Sequence, residues 1–438
     1  MNKSHALRIL LFFTGIILLG AVILSLSVSR AQGVAFSLVE PLFTATSAVC
    51  GAGLSVIEIS EHYTIFGQIV LLALMQCGAL GYMLLSVVIA VLVGKVVLKD
   101  RAIMNDMFVI YSFSDVFKIL KKAIIIILSI ELIGTVFLTL GFSSDYSFGK
   151  SLYLACFHSV SAFCNAGFSV FSDNLASFSS NALLLYTLMA LMFLGGLGFF
   201  VLVDVLSALK NKNEKISYYS KIVISASAVL ILAGFFVFNA AESFNLLNSK
   251  PFDFRVNNSL FQVISASTAG LNTLEIANIT NFTAILLMVL MFIGAAPASA
   301  AGGIKITTLI LVFAYLRAII RNDEDYQFYN KTLSPETVKK AVAIFIVSVL
   351  SVLAIISVLM ISEHGKNPIK IAFEAVSAFG INGLSMGITS GLSAAGKIIV
   401  TFAMFLGRIG TLTLLIIILH NKNSVKGIKY PEAKVLIG

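Results

Sequence analysis

Eight long apolar runs, at about 6–28, 66–97, 116–141, 183–209, 219–241, 283–318, 336–361 and 393–420, constrain this chain more than any other feature. Each can cross a hydrocarbon core of ~30 Å, which takes about 20 helical residues. In lipid every backbone N–H and C=O must be satisfied within the protein, so spanning segments of this kind read as α-helices. The sequence is 58 % hydrophobic and 12 % charged, more apolar than any soluble core requires. A net charge of +9 often signals nucleic acid. Here the charges sit in short segments between apolar runs, so they report topology and no nucleic-acid partner is expected. The first run, within "MNKSHALRILLFFTGIILLGAVILSLSVSR", is too long for a signal-peptide core and reads as a retained span.

Between runs one and two, three and four, five and six, and seven and eight lie shorter semi-apolar segments, 36–49, 148–163, 255–267 and 368–379. They are too short to cross and read as re-entrant half-helices. Each leads into a similar turn: "SAVCGAGLS" (47–55), "SAFCNAGFS" (161–169), "SASTAGLNT" (265–273) and "SAFGINGLS" (377–385). The third copy is one residue shorter between Ser-Ala and its glycine. A second marker follows each turn, "MQCGALG" (75–81), "MFLGGLG" (192–198), "MFIGAAP" (291–297) and "MFLGRIG" (404–410). Two independent markers in the same order, four times over, define a fourfold repeat of span, half-helix, glycine turn and span. The expected units are 1–105, 106–213, 214–325 and 326–420, with a C-terminal tail at 421–438.

Lys and Arg fix the expected orientation. With eight spans and four re-entrant hairpins both termini share one side, and that side carries 21 basic residues against 7 on the other. The positive-inside rule puts both termini in the cytoplasm and all four glycine turns outside. Four half-helices entering a membrane need protein or a water-filled path around them. Closed into a ring, they could turn backbone carbonyls toward one axis and replace the hydration shell of an ion. Helix C-terminal dipoles would favour a cation. The turns contain no charged side chain, and this chemistry needs none.

These motifs resemble the Trk/Ktr/HKT superfamily of potassium transporters, most nearly the KtrB-type (TrkH/TrkG-like) membrane subunit. The likeness rests on "LFTATSAVCGAGLS", "FHSVSAFCNAGFSVF", "MFIGAAPASAAGGIKITT", "FEAVSAFGINGLSMGIT", "GRIGTLTL" and "KYPEAKVLIG", and spans essentially the whole chain. It implies an all-α polytopic membrane protein of eight transmembrane helices and four pore half-helices. It also implies potassium uptake across the plasma membrane, sodium as an activating ion, a homodimer, and a cytosolic ring of RCK-type (KtrA/TrkA-like) subunits that bind the nucleotide. No cofactor is implied in this chain.

By the same likeness the selectivity filter would comprise Val49, Cys50, Gly51, Ala52 and Gly53, then Phe163, Cys164, Asn165, Ala166 and Gly167. The third and fourth repeats would add Ser267, Thr268, Ala269 and Gly270, and Phe379, Gly380, Ile381, Asn382 and Gly383. Glycine at 53, where sodium-favouring members carry serine, favours potassium. The chain departs from the family at Gly51-Ala52, usually Val-Thr, and at Ser267, often Arg; both bear on fine selectivity.

The sixth span is interrupted by Gly294, Ala295, Ala296, Pro297, Ala298, Ser299, Ala300, Ala301, Gly302 and Gly303. Proline and small residues hold a regular helix poorly. The segment reads either as a kink or as an intramembrane loop below the filter that gates the pore, its role in the family. Arg408 within the last span is costly in lipid and must face protein or water. It is expected to oppose resting cations or to anchor the loop. Lys305, just past the loop, is a further gate candidate or a snorkelling side chain.

Other features have plainer readings. Cys50, Cys77, Cys156 and Cys164 form no CxxC and read as small buried hydrophobes. His158-Ser159 has no nucleophile elbow and no partnered acid, so packing or a hydrogen bond is expected rather than catalysis. Glu131, deep in the third span, has no partner that the sequence names. Ten acidic residues, among them Glu242, Glu363 and Glu374, fall on the outer side, where they either favour cations or are scattered solvated charge. The segment "RNDEDYQFYNKTLSPETVKK" (321–340) links repeats three and four, with a helix start at Ser334-Pro335-Glu336; its acid cluster Asp323–Asp325 and the tail "KYPEAKVLIG" are either the contacts for the RCK-type subunit or plain loop and tail. No Walker motif, metal cluster or catalytic carboxylate pair is visible, so no enzyme is expected. The alternatives are a sodium-coupled solute symporter, which usually has inverted rather than parallel repeats, a sodium-selective member of the same family, and a membrane enzyme using His158 and Ser159.

Overall fold

The computed structural model describes residues 3–33, 37–93, 113–211 and 215–410. The basic stretch before residue 113, the end of the eighth apolar run and the tail at 421–438 lie outside the described residues.

The order of elements repeats four times. The first unit holds α1 (Lys3–Ser25), α2 (Val39–Cys50), the single turn α3 (Ile59–His62) and α4 (Ile65–Val93). The second holds α5 (Phe113–Phe142), α6 (Phe148–Phe163), α7 (Ala182–Leu197) and α8 (Phe199–Lys210). The third holds α9 (Tyr218–Glu242), α10 (Phe252–Thr268), α11 (Asn281–Ile293) and α12 (Ile306–Arg321). The fourth holds α13 (Pro335–Ser362), α14 (Pro368–Gly380) and α15 (Ala394–Ile409). Short helices, α2, α6, α10 and α14, therefore occupy the four segments between the runs, within a few residues of their expected bounds.

Among the described residues four helices, α1, α5, α9 and α13, are long and apolar enough to cross a membrane. Their outer faces expose Leu18, Leu132, Phe236 and Leu350, as lipid contact demands. The second span of each unit differs from the continuous run read in the sequence. The helix α4 breaks at Gly81 (φ 64°, ψ 179°). At Gly198, α7 and α8 bend by 103°. A loop separates α11 from α12, and α15 stops at Gly410 (φ 84°). The three breaks and the end of α15 all fall in the second sequence marker. Among the described residues, the interruption expected only in the sixth run is thus present in the first three units, longest in the third.

Each break spares the outer end of its helix, because that end is tied to the preceding span. The N-cap residues Thr64, Asn181, Thr280 and Ser393 carry the tie. Thr64 Oγ1 donates to Val28 O (2.7 Å) and Asn181 Nδ2 to Gly141 O (3.2 Å). Thr280 N donates to Glu242 Oε1 (3.0 Å) and Ser393 Oγ to Glu363 Oε1 (2.6 Å). Capping of this kind satisfies orphan N–H groups at a helix start. It corrects the reading of Glu242 and Glu363 as scattered solvated charge: both are buried.

The short helices lie inside. Phe43, Phe157, Phe261 and Phe373, one on each, are fully buried. The second span of each unit packs on the short helix of the next: α4 on α6, α7 on α10, α11 on α14, and α15 on α2. The last contact closes the circuit. On the loop joining units three and four, α13 starts at Pro335 as its sequence suggests. A two-residue hairpin, β1 (Gln327–Phe328) with β2 (Lys331–Thr332), precedes it. Tyr329 and Asn330 turn it in the left-handed region, and the Tyr218 hydroxyl donates to Phe328 O.

Candidate functional site: the glycine ring and the loop beneath it

The four glycine turns meet one another. A Cβ built on Gly53 would lie 2.7 Å from Ala166 O; on Gly167, 2.3 Å from Ala269 O; on Gly270, 1.8 Å from Asn382 O; on Gly383, 2.3 Å from Ala52 O. Each turn therefore touches the next and the fourth touches the first. All four glycines have positive φ, from 68° to 99°. Any larger residue would be strained in conformation and would collide with a neighbouring backbone.

The turns leave their helices in similar ways. Ala52, Ala166 and Asn382 N–H groups reach back to Ser47, Ser161 and Ser377 O at 2.7, 2.8 and 3.0 Å, and Gly270 N–H to Ser265 O at 3.1 Å. Gly51, Asn165 and Ile381 occupy the left-handed cap position that such closure needs. The third unit lacks this residue; its Ala269 stays at φ −118°. The one-residue deletion seen in the sequence is the missing left-handed residue. Ile381 (φ 54°) is the costly case, since a β-branched side chain rarely enters this region. Its buried side chain packs against Gly302 of the loop below, where an added Cβ would come within 2.4 Å of it.

Not every expected site residue leaves its helix. Val49, Cys50, Phe163, Ser267, Thr268, Phe379 and Gly380 form the last helical turns of α2, α6, α10 and α14. Ser267 and Thr268 donate back to Val263 O and Ile264 O at 3.0 Å. Gly51–Gly53, Cys164–Gly167, Ala269–Gly270 and Ile381–Gly383 form the non-helical turns. A side-chain amide ties the fourth unit to the third: Asn382 Nδ2 donates to Ser265 O (2.9 Å) and Ala266 O (2.7 Å). The Asn165 amide, in the orientation that satisfies both of its ends, bonds within its own unit, donating to Met192 O (3.1 Å) and accepting from Gly196 N (3.1 Å).

The second marker explains itself here. A Cβ on Gly78 would lie 2.0 Å from Val49 O, on Gly195 1.9 Å from Phe163 O, and on Gly407 2.1 Å from Phe379 O. These glycines let the second span press on the end of the short helix of its own unit. In the third unit Gly294 meets Gly302 O instead, at 2.3 Å, because the chain has already turned into the loop.

That loop, 294–305, lies directly under the ring: Ala300 O is 3.7 Å from a Cβ built on Gly51. It is pinned on several sides. Ala296 N donates to Gly196 O (3.1 Å), Phe199 N to Ala298 O (3.3 Å), Ile304 N to Phe292 O (3.0 Å) and Ile306 N to Ala295 O (3.1 Å). Pro297 O sits against Gly198, 2.7 Å from a Cβ built there. Lys305 Nζ turns back to Ala301 O at 2.5 Å. Arg408 donates one guanidinium N–H to Ala300 O and another to Gly78 O, so it joins the loop to the first and fourth units. Its guanidinium carbon also lies 5.6 Å from the Phe13 ring centroid. Of the two expectations for Arg408, the contacts are those of an anchor.

Above the ring opens a cavity of about 730 Å³ bounded by Gly53, Gly167 and Gly383 and carrying Glu58, Glu61, Asp173 and Glu275. Among the described residues no Lys or Arg lines it, and its acidic side chains favour cations. Glu374 does not reach it as solvated charge, being buried in α14. The sequence reading left Glu131 without a partner. Its Oε2 accepts from Gln76 Nε2 (3.2 Å), and the thiol of Cys164 in the second turn donates to Gln76 Oε1 (3.3 Å). Gln76 stands where the other three markers have Phe193, Phe292 and Phe405. That single polar exception was the available signal.

Comparison with known proteins agrees with this geometry. The family described as "TrkH: Cation transport protein" matches residues 21–427. The Ktr system potassium uptake protein B of Vibrio alginolyticus is 35 % identical over 433 residues, 98 % of this chain and 94 % of that protein. The potassium/sodium uptake protein NtpJ of Enterococcus hirae is 32 % identical over 97 % of this chain and 95 % of its own. The crystal structure of the potassium transporter TrkH from Vibrio parahaemolyticus superposes with a TM-score of 0.76 at 19 % identity, covering 95 % of this chain and 85 % of that one. The ring of four turns, its circular packing and these matches together make the chain a member of the TrkH family of cation transport proteins, a transporter rather than an enzyme.

Proposed function

We propose that the chain carries potassium inward through the ring of four glycine turns. The observation that carries the reading is closure: each turn abuts the next, and Gly383 returns to Ala52 and Gly53. Carbonyls drawn from Val49–Gly53, Phe163–Gly167, Ser267–Gly270 and Phe379–Gly383 would replace a cation's hydration shell, while four helix C-termini lend negative potential. Repeat boundaries at 105/106, 213/214 and 325/326 divide the chain into four such units, each a span, a half-helix and a broken second span, eight crossings in all. The named likeness to potassium uptake proteins supports potassium as cargo. Sodium enters as an activating ion, supported by the potassium/sodium relative.

The loop 294–303, with Lys305 and Arg408, is the gate. Supporting this is its position beneath the ring and the two carbonyls held by Arg408. Both termini lie in the cytoplasm of a plasma-membrane homodimer, by the distribution of Lys and Arg and by family likeness. A nucleotide-binding RCK-type subunit docks on the acid cluster Asp323–Asp325 and on the tail "KYPEAKVLIG", supported by relatives described as parts of a Ktr system.

The test is potassium-dependent growth of a bacterium lacking its own potassium uptake, with and without an RCK-type partner and with and without sodium. Rescue at low potassium, lost on Gly53→Asp in normally expressed protein, is expected. Membrane expression without rescue under every condition would move the reading to the sodium-selective alternative.

A further inference from the structure

One turn before each Ser-Ala, every short helix carries a buried polar residue: Thr44, His158, Gln262 and Glu374. Two residues after the ring glycine, units one, two and four carry a serine: Ser55, Ser169 and Ser385. In the second and fourth units these two positions meet. His158 Nε2 lies 3.0 Å from Ser169 Oγ, and Ser385 Oγ donates to Glu374 Oε2 at 2.8 Å. Glu374 Oε1 also takes the Thr389 hydroxyl. Each serine oxygen in turn accepts the backbone N–H two residues on, from Phe171 and Gly387, both at 3.1 Å.

The Leu154 carbonyl, 2.8 Å from His158 Nδ1, can only accept, so Nδ1 carries a proton. The Ser169 hydroxyl has two acceptors within reach, Asn174 O at 2.9 Å and His158 Nε2 at 3.0 Å. The imidazole is held flat by stacking on Phe171, with ring centroids 5.1 Å apart. Both His158 and Glu374 are fully buried. Each therefore joins a helix to the segment leaving the ring, His158 through the Ser169 hydroxyl and Glu374 through the hydroxyls of Ser385 and Thr389. The ring order set by the glycine contacts puts the second and fourth units opposite each other.

We propose that His158 and Glu374 are positioning residues that brace opposite sides of the ring, setting its affinity and discrimination for cations through Ser169 and Ser385. The proposal rests on the filter reading above. Gln262 and Thr44 are the same position without that bond to a serine, and the third unit lacks the serine: Asn272 stands there.

The experiment uses the full-length chain in cells lacking potassium uptake, with rubidium uptake normalised to membrane protein. Glu374→Ala, Ser385→Ala, His158→Ala and Ser169→Ala are compared with the conservative Glu374→Gln and His158→Gln, the latter being the third unit's own residue. Loss of a bond to a charged or buried group is expected to raise KM about tenfold and to weaken rubidium-over-sodium discrimination, with Vmax per molecule within about twofold. The glutamine variants should stay near wild type. The double variant Glu374→Ala/Ser385→Ala should be no worse than Glu374→Ala alone, because that single change already removes the bond to Ser385. Wild-type KM and discrimination in Ser385→Ala and Ser169→Ala, which lose the least packing, would overturn the proposal. So would a loss of Vmax alone that follows reduced melting temperature. Gly270→Ala separates the two readings: if it also leaves KM and discrimination unchanged, the filter reading fails; if it changes them while the brace variants do not, only the brace fails.

Discussion

Replacing Gly270 by alanine is the most informative small lesion in the molecule. The new Cβ would lie 1.8 Å from Asn382 O and 2.8 Å from Gly383 Cα. Both are backbone atoms, so no side chain can swing aside. Ordinary contact requires the third and fourth turns to part by about 1.5 Å. The left-handed conformation (φ 79°) adds about 1–2 kcal/mol of strain for a residue with a Cβ. A coordinating site must be held within about 0.5 Å to work, so the displacement exceeds what a ring of carbonyls can absorb. We expect rubidium uptake to fall at least about tenfold and discrimination against sodium to drop. Gly365→Ala supplies the control. Gly365 has φ 85° and nothing within 4 Å of an added Cβ, so it bears the same conformational strain with no collision. Both variants are assayed for uptake per membrane-inserted molecule and for melting temperature in detergent. If Gly270→Ala transports with wild-type KM and discrimination, the contact geometry of the ring does not govern transport and the reasoning fails.

Other consequences follow from particular contacts. Arg408→Gln removes the donors to Ala300 O and Gly78 O; bonds to a charged group are worth about 1.5–3 kcal/mol each. The loop should loosen, and sodium and potassium leak measured by flux without a partner subunit should rise; a tighter pore would contradict the anchor. Gly195→Ala puts a Cβ 1.9 Å from Phe163 O, an overpacking that costs about 1–3 kcal/mol. Its melting temperature should fall, whereas Gly15→Ala, with open space around it, should leave it unchanged or higher. At Glu363 burial alone would raise the pKa. Hydrogen bonds from Lys366 and Ser393 outweigh it and hold the carboxyl below its ordinary value of 4.5. A depressed pKa stabilises the fold above the ordinary value and ceases to do so as pH falls through the folded one. Glu363→Gln should therefore melt lower than wild type at pH 7, with the gap closing as the pH falls below the ordinary value of 4.5; a gap that stays equal as the pH falls would refute the linkage.

Much of the architecture was legible because the repeat was written twice in each unit. The half-helices, the ring glycines and the Pro335 helix start follow from local rules of length, turn chemistry and capping. The breaks at Gly81 and Gly198 and the helix end at Gly410 do not show in the sequence, although each ends the second marker. An apolar run of 20 residues or more satisfies the span test whether or not its backbone is straight, and only packing reveals the turn. The buried roles of Glu242, Glu363 and Glu374 escaped for a related reason. Acidic residues beside a loop look solvated until the hydroxyl or N–H that accompanies each is known, and those partners lie 30, 38, 11 and 15 residues away. Ser267 and Thr268 entered the candidate filter by alignment, yet their side chains bond back to the helix. The pairing of Glu131 with Gln76 spans 55 residues, and no periodicity could supply it.

The central claim is that the four turns hold the transported cation on one axis. Diffraction from crystals grown with rubidium or thallium, recorded for anomalous signal, tests this directly. The account predicts anomalous density between Gly53, Gly167, Gly270 and Gly383, absent from crystals of Gly270→Ala. A well-ordered ring with no density at its centre, and density elsewhere in the membrane region, would contradict it.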